Sequence, residues 1–498
     1  MKRDLRWYDH LTINSYWVGL NVSSGTITPV LLPYLVALFA PLELKNTYLA
    51  TVRVIGLAVA MAVQPIAGML SDRCTHPAGR RRPYIVAGAL LNVLFLAIIG
   101  ASPLFLGSRL DSLVQPVLAV TTAYAVLLLG TVLLQVSSNI GHGALQGLIP
   151  DMVPEKQRGK ASGVKAVMEL FPVFLVVFIG PLVDAGKVWL TVAIIMAAFV
   201  ITMIITVLTV HEEPLREKPA GRVREPILRL LALTAIFVLV TRAAIWMVQY
   251  SGEQLTLRSA SPVLQVAVVG LAGLAGMAGA IFLGVYLGAR VGIGKGATQQ
   301  RPFVWWIVNR LLFLAGVTSI QGFALYFLRD ALQIPNAATM TTVLMAVVAV
   351  FLIATALLGG WLADRVGRRP LVALSGLVAA AGTLVLLFST NVPMVMVAGS
   401  IIGIGAGTFM ATNWALGTDL VPPSQAGRFL GISNLAGAGA GIVGAGIGGP
   451  MADFFNRLQP GLGYLVIFAL YGVLFLLSMV ALIPVRERAK PADSILGG

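Results

Sequence analysis

A short arginine-rich loop occurs twice in this chain, and each copy lies between two long apolar stretches. The first copy reads GMLSDRCTHPAGRRRP at residues 68–83, and the second reads GGWLADRVGRRP at residues 359–370. Both contain Asp-Arg followed by a glycine and a cluster of arginines. The same charged loop is improbable twice by chance between similar apolar stretches. The repeat therefore predicts a chain built by duplication of one structural unit.

The apolar stretches are long enough to cross a lipid bilayer. The chain is 58% hydrophobic and 11% charged, whereas a soluble domain carries about 25% charged residues. About fourteen stretches of roughly 20 apolar residues follow one another between residues 12 and 484, among them 161–184 and 428–452. The predicted fold class is therefore an all-α integral membrane protein with about 14 transmembrane helices.

The positions of the basic residues predict how the chain is oriented. Its net charge is +15, and most of its 35 lysines and arginines fall in cytoplasmic segments if the N-terminus is cytoplasmic. We therefore expect a multi-pass protein of the cytoplasmic (plasma or inner) membrane with both termini in the cytoplasm. The expected partners are the lipid bilayer and a small-molecule substrate, with no nucleic acid, and the protein is expected to be a monomer.

A second repeat extends the doubling. Residues 151–164 read DMVPEKQRGKASGV, and residues 419–432 read DLVPPSQAGRFLGI. Two ordered repeats predict two six-helix halves, at residues 1–212 and 301–498, the second with a cytoplasmic tail. Residues 213–300 are predicted to form a cytoplasmic linker and two accessory transmembrane helices, an even number that preserves the orientation of the second half.

Two six-helix halves, each with a DR…GRR loop after its second helix, resemble the major facilitator superfamily. Within it, the string VQPIAGMLSDRCTHPAGRRRPYIVAG at residues 63–88 and the TP…PY pattern at residues 28–34 are similar to the sucrose:proton symporters and related glycoside–cation symporters. The chain departs from that group at Gln146, where those carriers have an arginine. The resemblance implies a secondary active transporter that takes up a sugar or glycoside with protons by alternating access.

Two other functions remain open at this point. One is an exporter of drugs, lipids or metabolites, and the other is a non-transporting membrane sensor on the same scaffold. The sequence contains no phosphate-binding glycine loop ending in Lys-Ser/Thr, no Cys/His metal spacing and no nucleophile elbow. We therefore expect no enzyme activity, no metal and no cofactor, and an energy source that is a gradient of protons or another cation.

The resemblance assigns the two arginine loops the role of a conformational latch, which ties neighbouring helix ends together in one conformation and releases them in another. The alternative is a purely topological role for their positive charge. The residues assigned to the latch are Asp72, Arg73, Gly79, Arg80, Arg81 and Arg82 in the first copy and Asp364, Arg365, Gly367, Arg368 and Arg369 in the second.

Few ionisable residues lie inside the predicted spans. Lys165 and Glu169 are one helical turn apart and can pair, while Arg53 enters the neighbouring second span from its outer end and could approach Glu169. Glu169 is the acidic residue predicted near the bilayer midplane, so it is the candidate for binding and releasing a proton. A static ion pair or a direct contact with substrate are the alternatives.

Polar and aromatic residues inside the spans that line the central cavity in the superfamily predict the substrate site. Amides and charged groups can hydrogen-bond sugar hydroxyls, and an indole offers a face for the sugar ring. For each candidate, ordinary hydrogen bonding between helices is the alternative. The candidates are Asn21, Trp17, Asn139, His142, Gln146, Arg310, Gln321, Asn413 and Trp414.

Overall fold

The computed structural model describes residues 5–485, apart from residues 213, 216, 218–222, 294–300 and 421–425. The side chains of residues 292–293, 364 and 426–436 also lie outside this description. Within the described residues the regular structure is entirely helical. An all-α fold suits a bilayer because a helix satisfies its backbone hydrogen bonds within its own segment. The predicted fold class is confirmed.

The helices of the first half follow the order of the predicted spans. They are α1 (Trp7–Thr26), α2 (Leu32–Phe39), α3 (Lys45–Ser71), α4 (Arg82–Ala101), α5 (Asp111–Leu118), α6 (Thr122–Leu145), α7 (Leu148–Met152), α8 (Arg158–Leu170), α9 (Pro172–Val176), α10 (Gly180–Asp184) and α11 (Val188–Thr209). A π-helical turn at Ile27–Leu31 joins α1 to α2. Pro172 and Pro181 stand in the first turns of α9 and α10, where a missing backbone N–H is tolerated.

The accessory helices and the second half are mostly long, continuous helices. They are α12 (Arg224–Leu257), α13 (Pro262–Ile293), α14 (Arg301–Tyr326), α15 (Ala337–Val366), α16 (Arg368–Leu387), α17 (Val392–Leu420), α18 (Ala426–Leu458) and α19 (Leu462–Val480). A π-helical turn at Phe327–Ala331 follows α14, as one follows α1. The first long helix of each half therefore ends with the same irregularity.

In the described part of the chain, twelve helices are long and apolar enough to cross a membrane. Two predicted spans are not among them. The span at 161–184 is divided among α8, α9 and α10, and the span at 428–452 includes residues whose side chains are not described. The protein is thus a multi-pass membrane protein, and the count of fourteen spans stays a prediction.

The chain divides into two compact units that differ from the predicted sequence halves. Unit 1 contains Met1–Thr234, Gln321–Ala346 and Ala452–Leu462, and unit 2 contains Ala235–Ile320, Val347–Met451 and Gly463–Gly498. In unit 1, α3 and α4 pack against α6, and α1 packs against α11. In unit 2, α16 packs against α17. Unit 1 therefore includes short segments of α14, α15 and α18 that belong to the second half of the sequence.

The accessory hairpin packs on a core helix inside unit 2. The ring of Phe237 on α12 lies directly against Gly284 of α13 and Gly439 of α18. Met451 of α18 lies in the same way against Gly273 of α13. Small residues let helices approach closely in lipid, which explains why both α13 and α18 are rich in glycine.

Candidate functional site

The first arginine loop is organised around Arg81. Its guanidinium pairs with Asp72 and, from Nε at 2.9 Å, with Asp151. Nη1 donates to the Ser71 hydroxyl at 2.6 Å. The Arg81 side chain is only 7% exposed, and Arg80 donates from Nε to the same Asp151 carboxylate at 3.1 Å. The loop therefore connects the end of α3, the start of α4 and the end of α6–α7.

A second carboxylate holds the backbone of this loop. The side chain of Glu212, which follows α11, accepts the backbone N–H groups of Arg81 and Arg82 at 2.9 and 3.0 Å. These donors belong to the start of α4, where N–H groups lack partners within the helix. Arg82 also donates to the carbonyls of Ala78 and Val207, and Arg73 is half-buried beside the loop.

The second arginine loop repeats the arrangement with fewer contacts. Arg368 pairs with Asp419 and donates to the carbonyl of Ala415 at 3.0 Å. Arg369 donates to the carbonyl of Ile483 at 3.4 Å, and the Arg365 guanidinium lies 4.0 Å from the centre of the Trp361 ring. The side chain of Asp364, the remaining acidic residue assigned to the latch, lies outside the described residues.

Asp151 and Asp419 form ion pairs with the arginine loops, and the sequence-based assignment of latch residues omits both of them. They open the two copies of the second repeat, DMVP and DLVP. Each accepts a cation from the arginine loop of its own half, Arg80 and Arg81 in one case and Arg368 in the other. The signal was present in the sequence, because two repeats that recur in the same order are candidates for contact with each other.

Both loops place a glycine in a backbone conformation that other residues avoid. Gly79 has φ of +105° and Gly367, at the start of α16, has φ of +98° with ψ of 152°. We expect Gly367→Ala to lower the free energy of unfolding by about 1–3 kcal/mol, because this region of the backbone map is almost restricted to glycine. Thermal unfolding of the purified protein measures the effect. Gly360→Ala is the control, since Gly360 is helical with open space around it, and equal melting temperatures for the two variants would contradict the prediction.

The first half of the chain brings several predicted substrate residues together around Trp17. Lys165 Nζ lies 4.2 Å from the centre of the Trp17 ring. The His142 ring meets Trp17 edge-on at 5.0 Å, and Gln146 Nε2 donates to His142 Nε2 at 3.3 Å. Lys165 Nζ also lies 3.2 Å from Glu169 Oε1, as their spacing predicts. Helices α1, α6 and α8 thus present an indole, an imidazole, an amide and an ion pair at one place.

The second half brings a separate set together around Asn413. Arg310 Nη1 donates to Asn413 Oδ1 at 3.1 Å, and the Arg310 guanidinium lies 5.1 Å from the centre of the Trp414 ring. Asn413 Nδ2 donates to Asn309 Oδ1 at 2.8 Å, and Trp306 Nε1 donates to the Asn413 carbonyl at 2.9 Å. The arrangement combines one cation, two amides and two indoles from α14 and α17.

The remaining candidates do not join these clusters. Asn21 and Asn139 each donate to the carbonyl four residues earlier in their own helix, at 2.9 and 2.7 Å. Gln321 is exposed in unit 1. Arg53 lies with its guanidinium 6.0 Å from the Phe323 ring of α14. Among the described residues, the ion pair of Glu169 is with Lys165 and not with Arg53, because the Arg53 side chain turns toward α14.

A further pair of repeated contacts lies at the opposite ends of the helices from the arginine loops. α3 runs for 27 residues from Lys45 to the first loop, so its first turn lies about 40 Å from that loop. Following the predicted topology, we call this the outer side. Asp453 of α18 is buried there. Its carboxylate accepts the backbone N–H groups of Asn46 and Thr47 at 3.1 and 2.7 Å, Asn46 Nδ2 at 2.8 Å and the Thr47 hydroxyl at 2.6 Å.

Asp184, the last residue of α10, makes the corresponding contact at the start of α15. Its carboxylate accepts the backbone N–H groups of Ala338 and Thr339 at 3.0 and 2.8 Å and the Thr339 hydroxyl at 2.6 Å. In both cases an aspartate satisfies first-turn N–H groups at the positive end of a helix dipole. We call these contacts the Asp453 clasp and the Asp184 clasp. Each joins a helix of one sequence half to a helix of the other, and all of their atoms lie within unit 1.

The clasps also have a sequence signal that our prediction did not use. Residues 180–184 read GPLVD and residues 449–453 read GPMAD, so Gly-Pro is followed three residues later by aspartate in both halves. This is a third repeat of the doubled chain. Its contacts become visible only in the structure, because the partners of the two aspartates are 406–407 and 154–155 residues away.

Comparison with known proteins agrees with this architecture. The profile of the Major Facilitator Superfamily matches residues 18–331 and 308–497. The chain belongs to the major facilitator superfamily. Within the superfamily it resembles the Minor myo-inositol transporter IolF of Bacillus subtilis (strain 168), with 36% identity over 88 residues, 18% of this chain and 20% of the relative. It also resembles the Sucrose transport protein SUC4 of Arabidopsis thaliana, with 28% identity over 151 residues, 30% of this chain and 28% of the relative.

Solved structures of other superfamily members share the fold along almost the whole chain. A D-xylose-proton symporter aligns with a TM-score of 0.61 at 16% identity, covering 96% of this chain and 98% of the other. A peptide transporter POT in complex with sulfate aligns with a TM-score of 0.62 at 14% identity, covering 97% and 95%. The sequence matches to the curated relatives span less than a third of their length. Family and fold make the protein a membrane transporter of small molecules.

Proposed function

We propose that this transporter takes up a sugar or glycoside together with protons by alternating access. The observation that carries the proposal is the cluster at Trp17, where an indole, the Lys165–Glu169 ion pair and His142 converge from three helices. An indole face and charged hydrogen-bonding groups are what a sugar ring and its hydroxyls need. The names of similar proteins, which include sucrose, alpha-glucoside and myo-inositol transporters, support the same substrate class.

Alternating access would give a function to the repeated contacts at the cytoplasmic and outer ends of the helices. The arginine loops act as latches on the cytoplasmic side and the aspartate clasps act on the outer side. A substrate can shift the equilibrium between two conformations only if it binds them with different affinity, and charge pairs that form in one conformation set the position of that equilibrium. We place the protein in the cytoplasmic membrane as a monomer with cytoplasmic termini, driven by a proton or other cation gradient without a cofactor.

Uptake into proteoliposomes tests the proposal. We expect an inward proton gradient to drive accumulation of at least one labelled sugar from a panel of sucrose, maltose, myo-inositol and xylose. Nucleosides, dipeptides and cationic dyes complete the panel. Transport of one of these three classes, with no flux of any sugar, would overturn the assignment of substrate while leaving the transporter itself intact.

Glu169 is the residue we propose as the proton-binding group. We expect Glu169→Gln to reduce proton-driven accumulation about tenfold or more and to preserve exchange of labelled for unlabelled substrate, because exchange needs no net proton movement. Glu225→Gln is the matched control, since Glu225 also pairs with a cation four residues later, Arg229, but at an exposed site. Unchanged concentrative uptake by Glu169→Gln would mean that the Lys165–Glu169 pair is structural.

A further inference from the structure

Arg310 is a cation without a counter-charge in the described part of the protein. It lies nine residues after the start of α14 at Arg301, or about 14 Å along the helix, which is close to the middle of a bilayer core of about 30 Å. Among the described residues, no carboxylate lies within ion-pair distance of it. Its polar side-chain contact is with the neutral Asn413 amide, and its Nε is buried without a hydrogen-bond partner.

Several other cations at candidate functional positions have a carboxylate partner. Lys165 pairs with Glu169, Lys45 pairs with Asp330 at 2.7 Å, and Arg368 pairs with Asp419. Charged residues inside membrane spans are costly and almost always pair or mark a pathway for substrate or ions. Arg310 is thus an intramembrane charge whose partner must come from outside the described chain.

The residues around Arg310 position it without neutralising it. The Asn413 side chain is oriented by the bond from its Nδ2 to Asn309 Oδ1, while Trp306 donates to its backbone carbonyl. Asn309 in turn donates to the Ser478 carbonyl at 2.8 Å. This chain of hydrogen bonds aims the Asn413 oxygen at Arg310 Nη1. Arg310 itself is only half-buried. Such a fixed, partly open guanidinium has the properties of a preorganised binding group.

We propose that Arg310 binds a carboxylate group of the substrate, so that the preferred substrate is an acidic glycoside rather than a neutral one. This inference rests on the proposed sugar transport and narrows its substrate class. A guanidinium binds a planar carboxylate through parallel hydrogen bonds. Trp414, whose ring lies 5.1 Å from the same guanidinium, supplies an aromatic face beside the charge. A neutral sugar can accept hydrogen bonds from Arg310 but leaves its charge uncompensated.

Two disaccharide derivatives that differ only in charge test the inference. Lactobionate carries a carboxylate where lactitol carries a hydroxymethyl group, and the rest of the two molecules is the same. Binding of each to the purified full-length protein at neutral pH is measured by titration calorimetry. We expect lactobionate to bind about ten- to hundredfold more tightly, the range expected for a charge-assisted hydrogen-bonded pair.

Variants of Arg310 identify the group responsible. We expect Arg310→Gln to reduce the ratio of the two affinities to about one by weakening lactobionate binding, with lactitol binding changed less than about threefold. Arg310→Lys keeps the positive charge but loses the planar guanidinium group, so we expect an intermediate ratio of the two affinities. This variant replaces Arg310→Gln in the test if the glutamine variant does not fold. Arg242→Gln is the matched control, because Arg242 is an arginine in the accessory helix α12 and is exposed.

The outcomes separate this inference from the proposed function. Equal affinities for the two compounds in the unmodified protein, or a preference that survives in Arg310→Gln, would overturn the carboxylate site while leaving sugar transport in place. If neither disaccharide binds but cyclohexanecarboxylate does so in an Arg310-dependent way, the anion site stands and the sugar assignment fails. If none of the three compounds binds to the folded protein, the carboxylate site is rejected.

Discussion

Asp453→Ala is expected to shift the protein toward a conformation that is open on the outer side. The Asp453 carboxylate is buried, and its four hydrogen bonds attach α18 to the first turn of α3. Removing this acceptor leaves buried N–H and O–H donors unsatisfied at about 1–3 kcal/mol each, and we expect a total cost of about 3–5 kcal/mol. In the proposed alternating-access cycle these helix ends separate, so the cost falls on the conformation in which the clasp is formed. At 1.4 kcal/mol for each factor of ten, the equilibrium should therefore move by roughly 150- to 4,000-fold.

The Asp184 clasp offers a matched comparison within the same chain. It shares the two backbone N–H donors and the threonine hydroxyl of the Asp453 clasp, but it has no counterpart of the Asn46 amide among the described residues, and its aspartate is exposed. Exposed charge interactions contribute less than about 1 kcal/mol. We therefore expect Asp184→Ala to shift the equilibrium less than about fivefold. Burial, and not the number of backbone contacts, accounts for the difference between the two clasps.

Spin-label distance measurements can follow the outer side directly. A Cys74→Ser background removes the single native cysteine, and labels are attached after Leu113→Cys and Gln459→Cys, two exposed outer positions. The distance distribution should move to longer values in Asp453→Ala and stay close to the unmodified one in Asp184→Ala. Asp453→Asn keeps the shape of the side chain and isolates the contribution of its charge. A folded Asp453→Ala protein with an unchanged distribution would show that other contacts, such as the Lys45–Asp330 ion pair, hold the outer side.

The sequence predicted contacts within one helix and within one repeat better than contacts between distant segments. The spacing of Lys165 and Glu169 predicts a pair on one helix face, and the structure contains it. The arginine loops were recognisable because the same motif occurs in both halves of the sequence. Neither helical spacing nor a repeated motif predicts the contacts of Arg53, because its long side chain could reach several neighbouring helices. The order of the helices alone therefore did not determine that Arg53 turns toward Phe323.

The clasps show why repetition alone was insufficient. GPLVD and GPMAD are short, and their proline and glycine are ordinary signals at helix ends. Their partners are backbone N–H groups, which every residue except proline carries. A sequence pattern therefore cannot identify which N–H groups an aspartate will bind. Such a contact is recognised only from distances in the folded structure. Thr47 and Thr339, the third residues of α3 and α15, are the one side-chain signal that the two donor sites share.

Arg81→Ala is expected to be the most destabilising change among the cytoplasmic loop cations. The side chain is 7% exposed and joins Asp72 to Asp151, which is itself 15% exposed. Removing Arg81 takes one of the two ion pairs described for Asp151 from a partly buried carboxylate, and we estimate a loss of about 2–4 kcal/mol. Arg368→Ala removes a pair whose side chains are 30% and 44% exposed, so its cost should be under about 1 kcal/mol.

Thermal unfolding of the purified variants, followed by a double-mutant cycle, distinguishes a latch from a topological charge. If positive charge alone mattered, Arg81→Ala and Arg158→Ala would have the same small effect, since Arg158 is a cation at the start of α8 whose ion pair among the described residues is with the exposed Glu155. If pairing matters, Asp151→Ala combined with Arg81→Ala should cost less than the sum of the single changes, because each single change already removes their contact. Strict additivity would therefore contradict the latch. The difference in burial between Arg81 and Arg368 further predicts that the first arginine loop contributes more to the stability of the fold than the second.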